Sequence, residues 1–216
     1  MSRINTITLN NLLPDVFRGT APASEIWLSQ LTLIRGERYL IHAESGTGKS
    51  SLCSYLYGNR TDYSGSILMD GEDTRNFSIA KWCELRQRSL ALLPQEMRLF
   101  PELTALENID LKNRLTNHKS EGEIVEMLQR LEIADKANTP VKRLSIGQQQ
   151  RVAVARALCQ PFDFLLLDEP VSHLDERNNA IVAQMVTAEA EKNGAAIIAT
   201  SVGNDLKIDV TRRIRL

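Results

Sequence analysis

The sequence predicts an α/β protein in which a helical lobe is inserted into a mostly parallel β-sheet. Two observations support this fold class. Short apolar runs alternate with amphipathic helices towards both ends of the chain, and several helices follow one another in the middle. A length of 216 residues suits one large domain, which we expect to cover residues 1–216.

Strands dominate the first third of the chain. Alternating apolar and polar residues predict half-buried strands over Thr6–Leu9 and Glu25–Ile34. A buried strand at Arg38–Ala43 leads directly into a glycine-containing loop, and a helix follows over Lys49–Tyr57. Gly65–Asp70 predicts a further strand that ends in an Asp-Gly turn.

Helices dominate the middle, and strands return near the end. Apolar residues at three- and four-residue spacing predict helices over Ala80–Arg88, Thr104–Leu111, Glu121–Leu131 and Gln148–Cys159. The last part alternates again, with strands expected at Phe164–Leu167, Ala195–Ala199 and Thr211–Leu216 and a helix at Glu176–Lys192.

Charge and cysteine content narrow the class of protein. Twenty-six Lys and Arg balance 27 Asp and Glu to a formal net charge of -1, which argues against a nucleic-acid partner. Cys53, Cys83 and Cys159 form no CxxC pair and are expected to be reduced core residues of a cytosolic protein. No apolar run approaches the roughly 20 residues that cross a bilayer, so action on a membrane would require a membrane-spanning partner.

The loop AESGTGKSS, residues 43–51, predicts a phosphate-binding site. Gly46 and Gly48 let successive backbone N–H groups wrap a phosphate, Lys49 can reach the β- and γ-phosphates, and the Ser50 hydroxyl can ligate Mg²⁺. Ala43 stands where the GxxxxGK[ST] pattern usually has its first glycine. The other expected nucleotide-binding residues are Ser45, Thr47 and Ser51. A Gly- and Ser-rich strand–turn–helix junction is the alternative interpretation.

Two adjacent acids end the predicted strand FLLL. Asp168 can hold Mg²⁺ through water, and Glu169 can polarise an attacking water molecule. An ordinary acidic turn after a buried strand is the alternative for this motif.

The segment LSIGQQQR, residues 144–151, is the most discriminating. Ser145 opens a predicted helix, where a hydroxyl and free N–H groups attract an anion. An N-capped helix of no special function is the alternative, but in this order with the other two motifs the segment resembles the LSGGQ signature of ABC ATPases, with Ile146 at the middle glycine. The resemblance implies that Ser145 and Gly147 touch the γ-phosphate bound by the opposite subunit, with Gln148 in the same site.

The resemblance covers essentially the whole chain and implies the layout of an ABC transporter ATP-binding subunit. A P-loop NTPase (RecA-like) core would comprise residues 1–94 and 160–216, including an N-terminal antiparallel β subdomain. An α-helical subdomain over residues 95–159 would carry the signature.

Further positions match the family one by one. Gln95 corresponds to the Q-loop glutamine, which contacts Mg²⁺ or its water and faces the transmembrane partner. The segment Ser172–Asp175 resembles the D-loop, which crosses the dimer interface. Phe17 corresponds to the aromatic residue that stacks on adenine, and Trp27 is the alternative stacker. The segment Phe100–Ile109 resembles its counterpart in the lipoprotein-release and macrolide-export class.

The resemblance breaks at Thr200-Ser201, where the family usually has Thr-His. The histidine reaches the γ-phosphate, whereas serine is shorter and carries no positive charge. Loss of such electrostatic stabilisation costs on the order of a hundredfold in rate. We therefore expect a slow ATPase that retains Glu169 and Gln95 as catalytic residues, with Ser201 at the switch position. The remaining histidines are not placed by sequence position to substitute: His42, His118 and His173.

The resulting functional expectation is an ABC transport subunit. It would bind ATP and Mg²⁺, form a homodimer or pair with another ABC ATPase, and attach to a transmembrane permease at the inner face of the cell membrane. The alternative is an ATP-switched regulatory subunit of a membrane mechanotransmission complex that carries no substrate. A chromosome-associated ATPase would need long coiled coils, tandem domains or a basic surface, and the sequence shows none of these.

Overall fold

The strands and helices follow the predicted alternation. The computed structural model describes residues 3–216, so Met1 and Ser2 of the predicted domain lie outside it. The strands are β1 (Thr6–Pro14), β2 (Gln30–Ile34), β3 (Arg38–His42), β4 (Tyr63–Met69), β5 (Glu72–Asp73), β6 (Leu90–Leu93), β7 (Phe164–Leu167), β8 (Ala196–Ser201) and β9 (Arg212–Arg215). The α-helices are α1 (Lys49–Leu56), α2 (Ile79–Arg88), α3 (Ala105–Asn113), α4 (Glu121–Arg130), α5 (Ile146–Leu158) and α6 (Glu176–Asn193).

A parallel sheet forms the centre of the molecule, in the order β6-β7-β8-β3-β9. Every residue of β7 and β8 is buried, as expected for strands that are covered on both faces. The carboxyl ends of β3, β7 and β8 lie along one edge, and each of them leads into a segment that the sequence analysis singled out. The predicted α/β fold with a mostly parallel sheet is confirmed.

A second, antiparallel sheet is built mainly from the N-terminal part, in the order β2-β1-β4-β5. Strand β1 pairs with β2 from Thr6 opposite Ile34, and with β4 from Ile7 opposite Met69. Ile7 and Leu9 of β1 and Leu33 of β2 are fully buried in a core shared with α1. This sheet is the expected antiparallel part of the fold.

Three helices in succession, α3, α4 and α5, form the helix-rich middle. Each begins with a capping box. The hydroxyl of a serine or threonine accepts the backbone N–H of the residue three positions later, and the side chain of that residue accepts the backbone N–H of the serine or threonine. Their apolar faces join β7, β8 and α6 in a common hydrophobic core. The caps explain why these helices begin close to the predicted positions.

One predicted strand begins later than expected, and one strand of the parallel sheet was missed. The strand expected over Glu25–Ile34 begins only at Gln30, because the Ser24 hydroxyl accepts the N–H groups of Ile26 and Trp27 and holds a turn, and Leu28 is left-handed at φ +58°. Strand β6 was not predicted.

The three cysteines do not share one environment, contrary to the expectation. Cys53 and Cys159 are buried, whereas Cys83 is exposed on α2. No described helix combines the length and apolar character required to span a bilayer.

Candidate functional site

The loop between β3 and α1 has the backbone of a phosphate-binding loop. Gly46 and Gly48 have φ of +83° and +104°, conformations that side chains other than glycine rarely adopt. A Cβ atom on Gly48 would also lie 2.9 Å from Cζ2 of Trp27 and 3.2 Å from Cε2 of Phe17. Glycine at 48 is therefore required by both torsion and space.

Trp27 packs against the glycine loop. Its ring is 3% exposed, and its indole N–H donates to the Thr47 carbonyl at 3.1 Å. Its burial and its hydrogen bond favour Phe17 over Trp27 as the residue that would stack on adenine. Phe17 is half-buried beside Gly48 and stays the candidate.

Lys49 spans the loop. Its ammonium donates to the Glu44 carbonyl at 2.9 Å and lies 3.6 Å from the Glu169 carboxylate. With its side chain 5% exposed, the charge is held at the point where a phosphate would enter. The N–H of Ala43 donates to the Ser201 carbonyl at 3.2 Å, so alanine at the first motif position continues the pairing between β3 and β8.

The remaining loop residues differ in what their side chains contact. The Thr47 hydroxyl donates to the Glu44 carbonyl at 2.8 Å, which closes the loop on itself. The Ser51 hydroxyl accepts from Arg60 at 2.9 Å, on the side of α1 that faces Arg60. Ser45 is exposed at the rim of the neighbouring cleft.

Oxygen atoms suited to Mg²⁺ meet beside Lys49. The Ser50 hydroxyl lies 3.4 Å from Oε1 of Gln95, which follows β6 and is exposed. The Asp168 carboxylate is buried at the end of β7 and accepts the Thr200 hydroxyl at 2.9 Å. A hydroxyl, an amide oxygen and one carboxylate fit the donor set of Mg²⁺ bound together with phosphates.

Burial raises the pKa of the Cys53 thiol well above its ordinary value, and the nearby Asp168 charge raises it further.

The backbone of Glu169 is fixed in an unusual conformation. Its φ is +50°, which is uncommon for a residue with a side chain, and its carboxylate points towards Lys49. Its N–H donates to the Thr200 hydroxyl at 3.1 Å, and its carbonyl accepts from Nε2 of Gln150 at 3.2 Å. The sequence analysis missed both supporting residues, although Thr200 stood next to the noted Ser201.

The segment Ser145–Gln148 lies at the surface. The Ser145 hydroxyl accepts the Gln148 N–H at 3.2 Å, and the Gln148 side chain accepts the Ser145 N–H at 2.9 Å. Ser145 is exposed, and Ile146 is 54% exposed. Within residues 3–216, no hydrogen bond joins this segment to the glycine loop. Its anion-attracting helix start therefore faces outward, away from its own core.

Ser201 is buried at the end of β8, and its hydroxyl accepts the Gly203 N–H at 3.0 Å. It lines a cleft of about 720 Å³ together with Glu44, Ser45 and Thr47 of the loop. His42 is its partner in the pairing of β3 with β8 and also lines this cleft. Its Nε2 is 3.0 Å from Arg213 and 3.3 Å from Asp205, so the ring is already engaged.

A glycine loop, a buried acid and its neighbouring glutamate on parallel strands define a P-loop nucleotide-binding protein. The sequence pattern of the ABC transporter family matches residues 29–172, more than half of the chain, and the chain belongs to this family. It is an ATP-binding subunit related to the lipoprotein-release and macrolide-export class.

Named relatives and solved structures agree with this family assignment. The chain is 31% identical over 189 residues to the lipoprotein-releasing system ATP-binding protein LolD of Shewanella frigidimarina, covering 86% of this chain and 79% of that one. It is 32% identical to the macrolide export ATP-binding/permease protein MacB of Rhodopseudomonas palustris, over 90% of this chain and 30% of that longer protein. The dimeric structure of the bacterial ABC transporter cassette MJ0796 superposes with a TM-score of 0.79 at 26% identity, covering 97% and 94% of the two chains. A post-hydrolysis dimer of the same cassette, bound to ADP and Pi, gives a TM-score of 0.76 at 26% identity, covering 92% and 88%.

Proposed function

We propose that this chain is an ATPase subunit that forms a head-to-tail dimer around ATP and drives a separate membrane-spanning partner in transport. The observation that carries the proposal is the outward-facing start of α5. Ser145 is exposed, whereas Lys49 and Glu169 lie 3.6 Å apart at the glycine loop and are largely buried, with side chains 5% and 15% exposed. Each chain thus offers one half of a nucleotide site and the complement of another.

In this proposal the loop and Lys49 bind the triphosphate. The backbone N–H groups of residues 45–50 surround the phosphates, and the Lys49 ammonium, 2.9 Å from the Glu44 carbonyl, is held to meet the β- and γ-phosphates. Phe17 stacks on the adenine. A second chain supplies Ser145, Gly147 and Gln148 to the γ-phosphate, where the N-terminus of its α5 favours negative charge.

Magnesium fits the oxygen atoms gathered beside Lys49. Ser50, Gln95 and Asp168 would hold it, and when bound it neutralises phosphate charge. Among residues 3–216, no group of three or more His, Cys, Asp and Glu could hold a metal ion, consistent with an ion bound largely through phosphates and water.

Hydrolysis is assigned to Glu169, which polarises the attacking water while Lys49 stabilises phosphate charge. The γ-phosphate competes with Glu169 for the Lys49 ammonium, which lies 3.6 Å from that carboxylate. Gln95 reaches the same place from the end of β6. The buried Ser201 supplies no cation, so turnover is slow but not zero.

The partner is a transmembrane permease that docks on the lobe of residues 95–159 at the inner face of the membrane. A groove of about 250 Å³ supports this assignment, because Leu92, Phe100 and Leu111 line it together with Lys112 and Arg156. Phe100 is 56% exposed and lies five residues after Gln95 in the sequence.

ATP-dependent dimerisation tests the proposal. We expect Glu169→Gln, which slows hydrolysis, to shift from monomer to dimer in sedimentation velocity when ATP and Mg²⁺ are added. Adding Lys49→Ala or Ser145→Arg to Glu169→Gln should abolish the shift, because each removes one half of the composite site. Dimers that form equally without ATP, or that persist in Ser145→Arg, would contradict it.

Ser201 favours a second candidate, a regulatory ATP switch, because signalling by dimerisation tolerates slow hydrolysis better than transport does. Co-purification of the chain with its membrane partner separates the two. A partner with many membrane spans and a substrate cavity supports transport, whereas one with few spans and a large external domain supports regulation.

A further inference from the structure

The buried amide of Gln150 joins three parts of the site. Gln150 lies on α5 and is 2% exposed. Its Nε2 donates to the Glu169 carbonyl at 3.2 Å, and its Oε1 accepts the His173 N–H at 3.2 Å. An unsatisfied amide would be costly at this depth, and both ends of this side chain have a partner.

The conformation of Glu169 depends on these contacts. Its positive φ of +50° places the residue in a region that side chains disfavour, so its surroundings must hold it there. Thr200 on β8 holds its N–H at 3.1 Å. Gln150 and the N–H of Ser172, at 3.3 Å, hold its carbonyl. The direction of the Glu169 carboxylate is therefore set jointly by the central sheet and by α5.

We propose that Gln150 is a positioning residue that couples the start of α5 to the Glu169 carboxylate of the same chain. The inference rests on the proposed function, in which Ser145 at the start of α5 contacts the nucleotide of a second chain. Five residues of helix, about 7.5 Å, separate Ser145 from Gln150. A movement of α5 on nucleotide capture thus reaches the catalytic group of the other nucleotide site.

A second contact also joins the start of α5 to the segment that follows Glu169. A Cβ atom on Gly147 would lie 3.4 Å from the His173 carbonyl, so the first turn of α5 packs against the segment Ser172–Asp175. The Ser172 hydroxyl and Nδ1 of His173 are 3.0 Å apart, which stiffens this segment. Direct contacts therefore join the helix start, the acidic turn and the segment after it.

Steady-state kinetics of Gln150→Leu test the inference. Loss of both hydrogen bonds should let Glu169 move by about an ångström, which can cost up to a hundredfold in rate. We expect kcat to fall at least tenfold, with KM for ATP within about twofold of wild type. The matched control is Gln149→Leu, because the Gln149 amide donates to the Leu144 carbonyl at 3.0 Å and touches neither acid.

A second variant guards against misfolding. Gln150→Met keeps the length of the side chain and buries no charge, but it makes neither hydrogen bond. It should lose kcat as Gln150→Leu does, while a cooperative melting transition shows that the chain is folded. The inference is overturned if folded Gln150→Met turns over like Gln149→Leu, or if KM rises as much as kcat falls. A wild-type chain that neither dimerises nor hydrolyses ATP overturns the proposed function as well, so the two failures are distinguishable.

Discussion

We propose that Ser201 occupies the position where ABC ATPases usually carry a histidine. Its hydroxyl accepts a hydrogen bond from its own turn. The Gly203 N–H donates to it at 3.0 Å, and the residue is 1% exposed. His42, its neighbour across the strand pairing, is held by Arg213 and Asp205 instead. In the proposed site, Lys49, which lies 3.6 Å from the Glu169 carboxylate, is the cation that stabilises transition-state charge.

A histidine in place of Ser201 should raise the rate of ATP turnover. The cleft of about 720 Å³ beside Ser201 gives an imidazole room to extend towards the phosphates. We expect Ser201→His to increase kcat at saturating ATP and Mg²⁺ by tenfold or more, since one such electrostatic group is worth about a hundredfold. Phosphate release measures the effect, and Ser201→Asn controls for size without charge.

Two outcomes would contradict this account of Ser201. One is Ser201→His turning over no faster than Ser201→Asn. The other is a wild-type rate near the ordinary enzyme median of about 10 per second, because the missing group would then be of no consequence.

Helix α4 shows how a local sequence pattern fixes an element. The Ser120 hydroxyl accepts the Glu123 N–H at 3.3 Å, and the Glu123 carboxylate accepts the Ser120 N–H at 2.9 Å. The Ser120 backbone, the Ser120 hydroxyl and Lys192 together lower the pKa of Glu123 to about 2. Since its ordinary pKa is 4.5, this carboxylate stabilises the fold above about pH 4.5 and loses that contribution as the pH falls towards 2.

Removing this cap should therefore have a pH-dependent effect. We expect Glu123→Ala to lower the free energy of unfolding by about 1 kcal/mol at pH 7. The difference from wild type should shrink at pH 3.5, because the unfolded chain, with its ordinary pKa of 4.5, takes up the proton there while the folded carboxylate stays ionised. Urea unfolding at both pH values measures it, with Glu121→Ala as the control. An equal difference at both pH values would refute the assignment.

Elements with caps were predictable, and elements defined by tertiary contacts were not. Helices α1 and α4 begin where predicted, because glycine and serine mark their starts. Strand β6 was missed because LALL follows α2 after one residue and a short apolar run does not distinguish a strand from a continuing helix. Gln150 was missed because a buried glutamine within a polar run looks like a surface residue.

The parallel sheet explains why residues far apart in sequence meet. Lys49, Gln95 and Glu169 follow β3, β6 and β7, and parallel strands deliver their carboxyl ends to one edge. That part of the site was predictable from motif order. The backbone conformation of Glu169 and the burial of Trp27 were not, because both depend on packing between elements. In the proposed function, the outward-facing Ser145 makes each molecule half of a larger nucleotide site.

Mixing two complementary variants tests most directly whether the nucleotide site is divided between two chains. In a Glu169→Gln background, chains with Lys49→Ala lack the loop half of the site, and chains with Ser145→Arg lack the helix half. Neither should retain ATP or dimerise alone. A mixture can assemble one intact site per dimer, from the loop of one chain and the helix of the other. We predict dimers that retain one radiolabelled ATP on gel filtration. A mixture that retains no more ATP than the separate variants would contradict the account.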